Sequence, residues 1–461
     1  MVGIEIKGKR SQVGLSQAKL AKITGVDQAR ISAFELGKIK LDLIEIQRLS
    51  SCLENFKESD LKLLKKKNYQ NSQHLDSSLA QRPRRGYEKT ERNDNYLEVL
   101  SGLESNFIYP KKSHLKAISF FAGCGGLCYG VKSAGFEIVA TNELVEAYIK
   151  IYSLNFPEAN FLANDIQTIS NSDIDIILKK NGEIDLLIGG PPCQGFSLAG
   201  KRDVGDKRNT LFSYYLKIAE QIKPKVILIE NVRLLTSMKD DRGVLVCDNI
   251  LSALKFMGYN SSFFYVNAKD YGVPQHRERV IFIAVRSDIN KLPSIPRPIY
   301  SNSAGGLLLN ESCFTFGDAV SDLEFIESGE KSIKDKHHWA VDHPEHVIRW
   351  LIDVPEGKSA HDNENECMRP PSGYNTTYKR QIWYEPAGTV ATTYGMISGC
   401  RNVHPIATRA LTTREALRLQ SFPDSFKLTG NNGSIRTVIG NAVPPLLGFE
   451  LARYIRDTYM Q

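Results

Sequence analysis

The chain is 461 residues long, with a formal charge of +7 at neutral pH and 42% hydrophobic residues. That length is too great for one compact core, so two or three domains are expected. No apolar stretch reaches the length of a membrane span, and the N-terminus lacks the charged-then-apolar layout of a secretory signal, so a cytoplasmic protein without a membrane partner is expected.

The first unit, residues 1–61, reads as helical. Ser16 can cap a helix that turns Leu20 and Ala21 inward, Gly25 supplies a turn, and Asp27 caps a second helix with Ile31 and Phe34 on its core face. Gly37 can end that helix in the left-handed conformation. The pattern resembles a repressor-type helix-turn-helix, whose outward residues here are Gln28, Arg30 and Ser32, side chains able to meet base edges or phosphates in a major groove. The resemblance implies operator DNA as a partner, which favours a dimer through this unit; the plainer alternative is a helical bundle used for dimer contacts alone. Residues 62–112 follow as a basic linker, with Lys65-Lys66-Lys67 and Arg82-Pro83-Arg84-Arg85, in which no core is expected.

From Ala117 onward strands and helices alternate. Ala117–Phe121, Ile138–Thr141, Ile184–Ile188, Val226–Ile229 and Val280–Val285 read as buried strands. That rhythm predicts a catalytic domain over 113–291 built on a doubly wound, mostly parallel α/β sheet. It breaks at Leu292, where Pro293, Pro296 and Pro298 crowd together, and residues 292–404 read as a small, irregular, β-rich domain. Over 405–461 the stretches Thr412–Gln420 and Leu446–Tyr459 read as helices returning to the first sheet.

The motifs carry the chemistry. Gly189-Gly190-Pro191-Pro192-Cys193-Gln194-Gly195-Phe196-Ser197 sets Cys193 just past the carboxyl end of a strand, on a loop stiffened by two prolines. Phe120-Phe121-Ala122-Gly123-Cys124-Gly125-Gly126-Leu127 joins the first strand to a helix, where main-chain amides can approach a nucleoside-type cofactor; the turn of a dinucleotide enzyme, or a mere tight turn, would look the same. Glu143 ends the second strand, placed to accept from ribose hydroxyls, and Asp165 could accept from an adenine amino group. No Gly-Lys-Ser/Thr follows the glycine-rich turn, which disfavours nucleotide triphosphate hydrolysis. Glu230-Asn231-Val232 ends another strand, and Gln275-His276-Arg277-Glu278-Arg279 precedes one. Singly, Glu230 could be a helix cap and the arginines a salt-bridged surface. The cysteines at 52, 124, 128, 193, 247, 313, 367 and 400 form no repeated Cys-x-x-Cys pair, so neither a metal site nor a disulfide framework is expected.

Taken together and in order, these motifs resemble the cytosine-C5 DNA methyltransferases of bacterial modification systems. The likeness runs from about Leu115 to the C-terminus and includes Arg208-Asn209-Thr210-Leu211-Phe212, Leu411-Thr412-Thr413-Arg414-Glu415, Leu419-Gln420-Ser421-Phe422-Pro423 and Gly440-Asn441-Ala442-Val443-Pro444-Pro445. It implies an S-adenosylmethionine-dependent methyltransferase sheet, double-stranded DNA as substrate, and covalent attack by Cys193 on carbon 6 of a flipped cytosine. Glu230 is then expected on N3 and the exocyclic amine, Arg279 on O2, and Arg277 on a neighbouring phosphate or the loop itself. The implied cofactor pocket comprises Phe121, Gly123, Cys124, Gly126, Glu143, Leu144, Asp165, Ile166, Pro192, Leu211, Asn441 and Ala442. The same resemblance places target recognition in 292–404. Tyr374, Arg380, Thr389, Thr392 and Arg401 are candidates for base or phosphate contact there, together with Arg208, whereas Trp383 and Val390 also fit a core. Two competing readings are a DNA-binding regulator with an inert methyltransferase fold and an RNA cytosine-C5 methyltransferase.

Overall fold

A computed structural model describes residues 3–13, 15–54, 86–109, 114–192, 209–240, 243–301, 311–399 and 401–461. The chain divides into two compact units, Met1–Arg84 and Arg85–Gln461.

The first unit contains helices α1 (Gly3–Gln12), α2 (Gln17–Thr24), α3 (Gln28–Glu35) and α4 (Leu43–Glu54) around Ile6, Leu20, Val26, Ile31, Phe34 and Leu49. Asp27 caps α3 as its sequence predicts, its side chain accepting from the Ala29 and Arg30 amides, and Gly25 and Gly37 take φ of 71° and 70° at the two turns. Glu35, only 3% exposed, accepts from Arg10 at 2.6 and 2.9 Å and from Gln17 at 2.7 Å, so one carboxylate ties three helices together. Burial pushes that carboxyl up, but the hydrogen bonds from Arg10 and Gln17 outweigh it and hold the group below the usual glutamate range.

The second unit begins earlier than the sequence predicts. The coreless linker expected through residue 112 instead holds a helix, Asn93–Ile108, whose Tyr96, Leu100 and Leu103 recur at helical spacing and are buried in the main core. Asn93 fixes its start by donating to the Asp318 carbonyl at 2.9 Å and to Asp322 at 2.8 Å. The basic clusters at 65–67 and 82–85 lie outside the described residues.

The sheet has six strands in the order β2-β1-β3-β4-β6-β5: β1 Lys116–Phe120, β2 Glu137–Thr141, β3 Leu186–Gly189, β4 Val226–Val232, β5 Tyr259–Asn267 and β6 Glu278–Arg286. β1 pairs parallel with β2 and β3, and β3 with β4; β6 runs antiparallel to both β4 and β5. The mostly parallel α/β sheet is therefore as expected. Sequence reading missed β5, an edge strand whose Ser261 and Ser262 interrupt its apolar run and whose residues are mostly half-buried. The C-terminal helices Thr413–Leu419 and Pro445–Tyr459 return to the core as anticipated, with Asn432–Asn441 between them unforeseen.

The segment 292–404 is not β-rich. Among the described residues it has no strand of the sheet, only isolated bridges such as Lys331 with Trp339 and Arg380 with Val403, two short helices (Phe316–Val320 and Glu345–Leu351) and two 3₁₀ turns. Nor is it wholly separate. Phe314, Phe316, Trp383 and Val390 join the main core, while a small core of its own gathers Val347, Leu351, Val354, Ala360 and Val403.

The Arg409–Glu415 pair fastens this region to the helix Thr413–Leu419. Both side chains are fully buried and meet through contacts of 2.9 and 2.7 Å, while Glu415 also accepts from the Thr412 amide and Arg409 donates to the Ile326 carbonyl. Burial would push the Glu415 carboxyl up; the Arg409 charge overrides it and holds the group well below the ordinary range. The pair's stabilisation is therefore intact above the ordinary glutamate pKa and is lost as pH falls through the depressed folded value. Glu415→Gln is expected to destabilise the catalytic unit by about 3–5 kcal/mol, because Arg409 is left as an uncompensated buried charge. Urea melts at pH 7 check this, and the same melts at decreasing pH are expected to show the wild-type advantage shrinking on the acid side.

Candidate active site

The carboxyl ends of the parallel strands converge on a cavity of about 590 Å³ bordered by the β1 turn, the end of β2, the segment leaving β3, the end of β4 and the helix Asn432–Asn441. Its size is in the range of small-molecule sites. Every residue expected around the cofactor lines it except Cys124: Phe121, Gly123, Gly126, Glu143, Leu144, Asp165, Ile166, Pro192, Leu211, Asn441 and Ala442. Cys124 is a correction. Its side chain is 1% exposed, its Sγ lies 4.0 Å from the Val438 carbonyl, and burial pushes its thiol up to about 12.

Glu143 stands in the cavity wall at the end of β2. Its Oε2 accepts from the Gly123 amide at 2.8 Å and its Oε1 from the Val145 amide at 2.9 Å. Burial nevertheless pushes this carboxyl above the usual range, against those backbone donors. Each oxygen keeps a further lone pair for a hydroxyl. Asp165 caps a short turn by accepting from the Gln167 amide at 3.0 Å. These acceptors, the apolar Phe121 and Leu211, and the main-chain amides of the glycine-rich turn form a lining whose chemistry fits a nucleoside-bearing group. Sequence reading missed Thr437 and Val438, which line the cavity from the unforeseen helix Asn432–Asn441 and were within reach by stepping back one turn from Asn441.

On the opposite wall stand Glu230 and Arg279. Glu230 is 8% exposed, and its Oε1 lies 2.7 Å from the Arg279 Nε. The pairing follows from register: Val232 faces Arg279 and Glu230 faces Ile281 on the β4–β6 ladder, so the two side chains are diagonal neighbours on one face. A Cβ on Gly190 would stand 3.3 Å from the Glu230 Oε2, and Asn231 donates to the Pro191 carbonyl at 2.8 Å. The chain leaving β3 is thus pinned against Glu230 and Asn231 two residues before Cys193. Cys193 and Arg208 themselves lie outside the described residues.

Arg277 is a second correction. Of its two expected partners, a phosphate or the loop itself, burial to 1% exposure disfavours the first: Arg277 borders the cavity and donates to the carbonyls of Val390 at 3.4 Å and Gly440 at 3.0 Å. Burial, reinforced by the neighbouring Arg279 charge, pushes its pKa well below the ordinary arginine value.

Beside Glu230 a polar cleft of about 500 Å³ opens, bordered by Arg233, His276, Arg279, Thr389 and Arg401 among others. Thr389 and Arg401 are therefore brought to one cleft with Arg279. Thr392 is half-buried behind them, and Tyr374 is 80% exposed outside the cleft. Arg380 is the third correction: 2% exposed, it donates to the carbonyls of Leu351, His404 and Ala407 and so holds the small core together. Trp383 and Val390 are core. In the N-terminal unit Gln28 and Arg30 are exposed and Ser32 half-buried, with Arg30 held by Glu45 at 2.9 and 2.7 Å. Among the described residues no group of His, Cys, Asp and Glu is arranged to hold a metal, and no helix is long and apolar enough to cross a membrane.

Comparison with known proteins agrees with this geometry. The family model for C-5 cytosine-specific DNA methylases matches residues 115–457, and a helix-turn-helix model matches residues 6–55. The Type II methyltransferase M.DdeI of Desulfomicrobium norvegicum is 32% identical, over 74% of this chain and 88% of that protein. Type II methyltransferase M1.HgaI of Avibacterium volantium is 33% identical, over 75% of this chain and 99% of that protein. Among solved structures, a DNMT2 of Spodoptera frugiperda aligns with a TM-score of 0.51 at 20% identity, over 74% of this chain and 99% of that one, a likeness of fold alone. The chain belongs to the C-5 cytosine-specific DNA methylases, with a helix-turn-helix domain at its N-terminus.

Proposed function

We propose that this methylase modifies carbon 5 of a flipped-out cytosine within a specific sequence of double-stranded DNA, through a transient bond between Cys193 and carbon 6, with S-adenosylmethionine as methyl donor. The observation that carries the reading is the buried Glu230–Arg279 pair at 2.7 Å, standing where the cofactor cavity meets the polar cleft. Carbon 5 of cytosine is a weak nucleophile, and adding a thiolate to carbon 6 activates it. Glu230, held beside Gly190, accepts from the exocyclic amine and passes a proton taken from solvent to N3 as the thiolate adds, which relieves the negative charge that this addition drives onto the ring. Arg279 donates to O2. Asn231 holds the Pro191–Pro192 segment, and Cys193, which follows it in the chain, supplies the thiolate. Glu143, Asp165, Asn441 and the glycine-rich turn hold the cofactor, which when bound supplies an electrophilic methyl group. A solvent water takes the carbon-5 proton, the electron pair of that bond forms the C5–C6 double bond, and the Cys193 thiolate leaves, which restores the aromatic ring. A base inside the duplex cannot reach this wall, so it must leave the stack at a cost of a few kcal/mol.

Cys193→Ala is expected to abolish transfer of labelled methyl to duplex DNA, and the wild-type protein is expected to form a stable adduct at Cys193 with a 5-fluorocytosine oligonucleotide; label appearing in RNA instead would favour the RNA reading. Glu230→Gln is expected to lower kcat by about 10²–10⁴-fold, with DNA binding retained, in a single-turnover assay. Bisulfite sequencing of DNA from cells expressing the protein identifies the target site.

The N-terminal domain we assign to an operator near the protein's own coding region, bound as a dimer in the cytoplasm, with Gln28, Arg30 and Ser32 toward the groove. Deletion of residues 1–60 is expected to raise output from that promoter while leaving methyl transfer intact; unchanged output would refute the assignment.

A further inference from the structure

Residues 86–92 lie upstream of residue 115, where the stretch shared with the methylase family begins, yet they are fastened along the segment 312–325. Arg92 donates to the Ser312 hydroxyl at 2.7 Å and to the carbonyls of Ser312 at 2.9 Å and Cys313 at 3.2 Å, with its guanidinium 4.6 Å from the centre of the Phe314 ring. The Thr90 hydroxyl donates to Asp318 at 2.8 Å, and the Thr90 amide to the Ser321 hydroxyl at 3.0 Å. Tyr87 donates to the Leu323 carbonyl at 3.1 Å, and its ring lies 4.8 Å from Trp383, 5.4 Å from Phe325 and 5.8 Å from His404, centre to centre. Neither Tyr87 nor Arg92 borders the cofactor cavity or the polar cleft.

Trp383 is where this strap meets the recognition segment. Residues 381–390 form no helix and no strand of the sheet, only the isolated bridge at Ala387, so side chains and not a ladder fix their course. The Trp383 carbonyl accepts from the Gly317 amide at 2.9 Å, and a Cβ on Gly317 would stand 2.7 Å from the Trp383 ring and 3.0 Å from the Thr90 methyl, an approach that only glycine permits. Two residues before Trp383 comes Gln381, buried and outside the cleft. Its side chain accepts from the Gly388 amide at 2.9 Å and donates to the Arg401 carbonyl, while its amide donates to the Val403 carbonyl at 2.9 Å. Gly388 and Arg401 both border the cleft. One buried carboxamide thus sets the spacing of the two backbone segments that carry Thr389 and Arg401. The Tyr87 ring in turn covers Trp383; taking it away would open a void there, and Trp383 could fill that void only by drawing Gln381 with it.

We infer that this upstream strap takes part in target recognition, with Tyr87 and Gln381 as positioning residues: Tyr87 braces Trp383, and Gln381 fixes Gly388 and Arg401 at the cleft. The inference rests on the reading that the cleft holds duplex DNA. Its test is steady-state methyl transfer by the full chain, read as KM for a duplex carrying the mapped target site and as the ratio of kcat/KM for that duplex to kcat/KM for one with a single base pair of the site changed. Tyr87→Ala and Gln381→Met are each expected to raise KM for the target duplex by about tenfold and to lower the ratio by about threefold or more, with kcat at saturating duplex and KM for S-adenosylmethionine within about threefold of wild type. Tyr87→Phe, which keeps the ring, is expected to restore both readings to within about twofold of wild type. General loosening of the fold would instead lower the active fraction, and with it kcat, while leaving KM and the ratio in place. Where either variant fails to fold, Tyr87→Leu and Gln381→Glu take their places, with changes in the same direction expected. A variant of either residue that melts like wild type and keeps its KM and ratio, or that loses kcat alone, would overturn the inference and leave the methyltransferase reading standing. A wild type that transfers no methyl group to duplex DNA would instead remove that reading, and the inference with it.

Discussion

The reversal of β6 decides where the candidate site sits. In a sheet whose other strands run one way, loops that follow strands gather at the carboxyl edge and segments that precede strands gather at the opposite one. β6 runs against β4, so the segment that precedes it arrives at the carboxyl edge, beside the end of β4. Arg279 consequently meets Glu230 across a ladder, fixed by backbone hydrogen bonds on both sides, and not across a loop. A site whose two charged groups share one ladder keeps its geometry without help from either ligand.

Two arginines separated by one residue meet opposite ends in that arrangement. Arg279 stays at the site and keeps a carboxylate within 2.7 Å. Arg277 turns into the interior, where carbonyl oxygens take the place of an anion. A buried cation is costly unless its donors are satisfied. What makes the burial worthwhile is that a guanidinium can reach two separate backbone segments at once, which no apolar side chain could do.

Much of this was readable from the residues alone because the relevant signals are local. Asp27, Gly25 and Gly37 each announce a cap or a turn, the buried parallel strands show as short apolar runs, and the glycine-rich turn together with Glu143 and Asp165 marked out most of the cavity wall. The errors share one cause: they depend on what a side chain meets across the fold. Cys124 lies in the right motif but faces Val438, and Arg380 looks like any exposed basic residue until the carbonyls of Leu351, His404 and Ala407 close around it. β5 escaped notice because an edge strand needs no continuous apolar run. The region 292–404 was misread as β-rich because proline and scattered aromatics signal irregular chain without saying what stabilises it. Here a buried guanidinium and a small aliphatic core do so.

The helix Asn93–Ile108 bears on where this protein can be cut. It lies upstream of the stretch that matches the methylase family, which starts at residue 115, yet its Tyr96, Leu100 and Leu103 are part of the same core as the sheet. A recombinant fragment trimmed to the family boundary would expose that apolar seat to water and invite aggregation. Separating the helix-turn-helix domain from the methylase domain by protease or by gene design therefore has to spare the helix Asn93–Ile108.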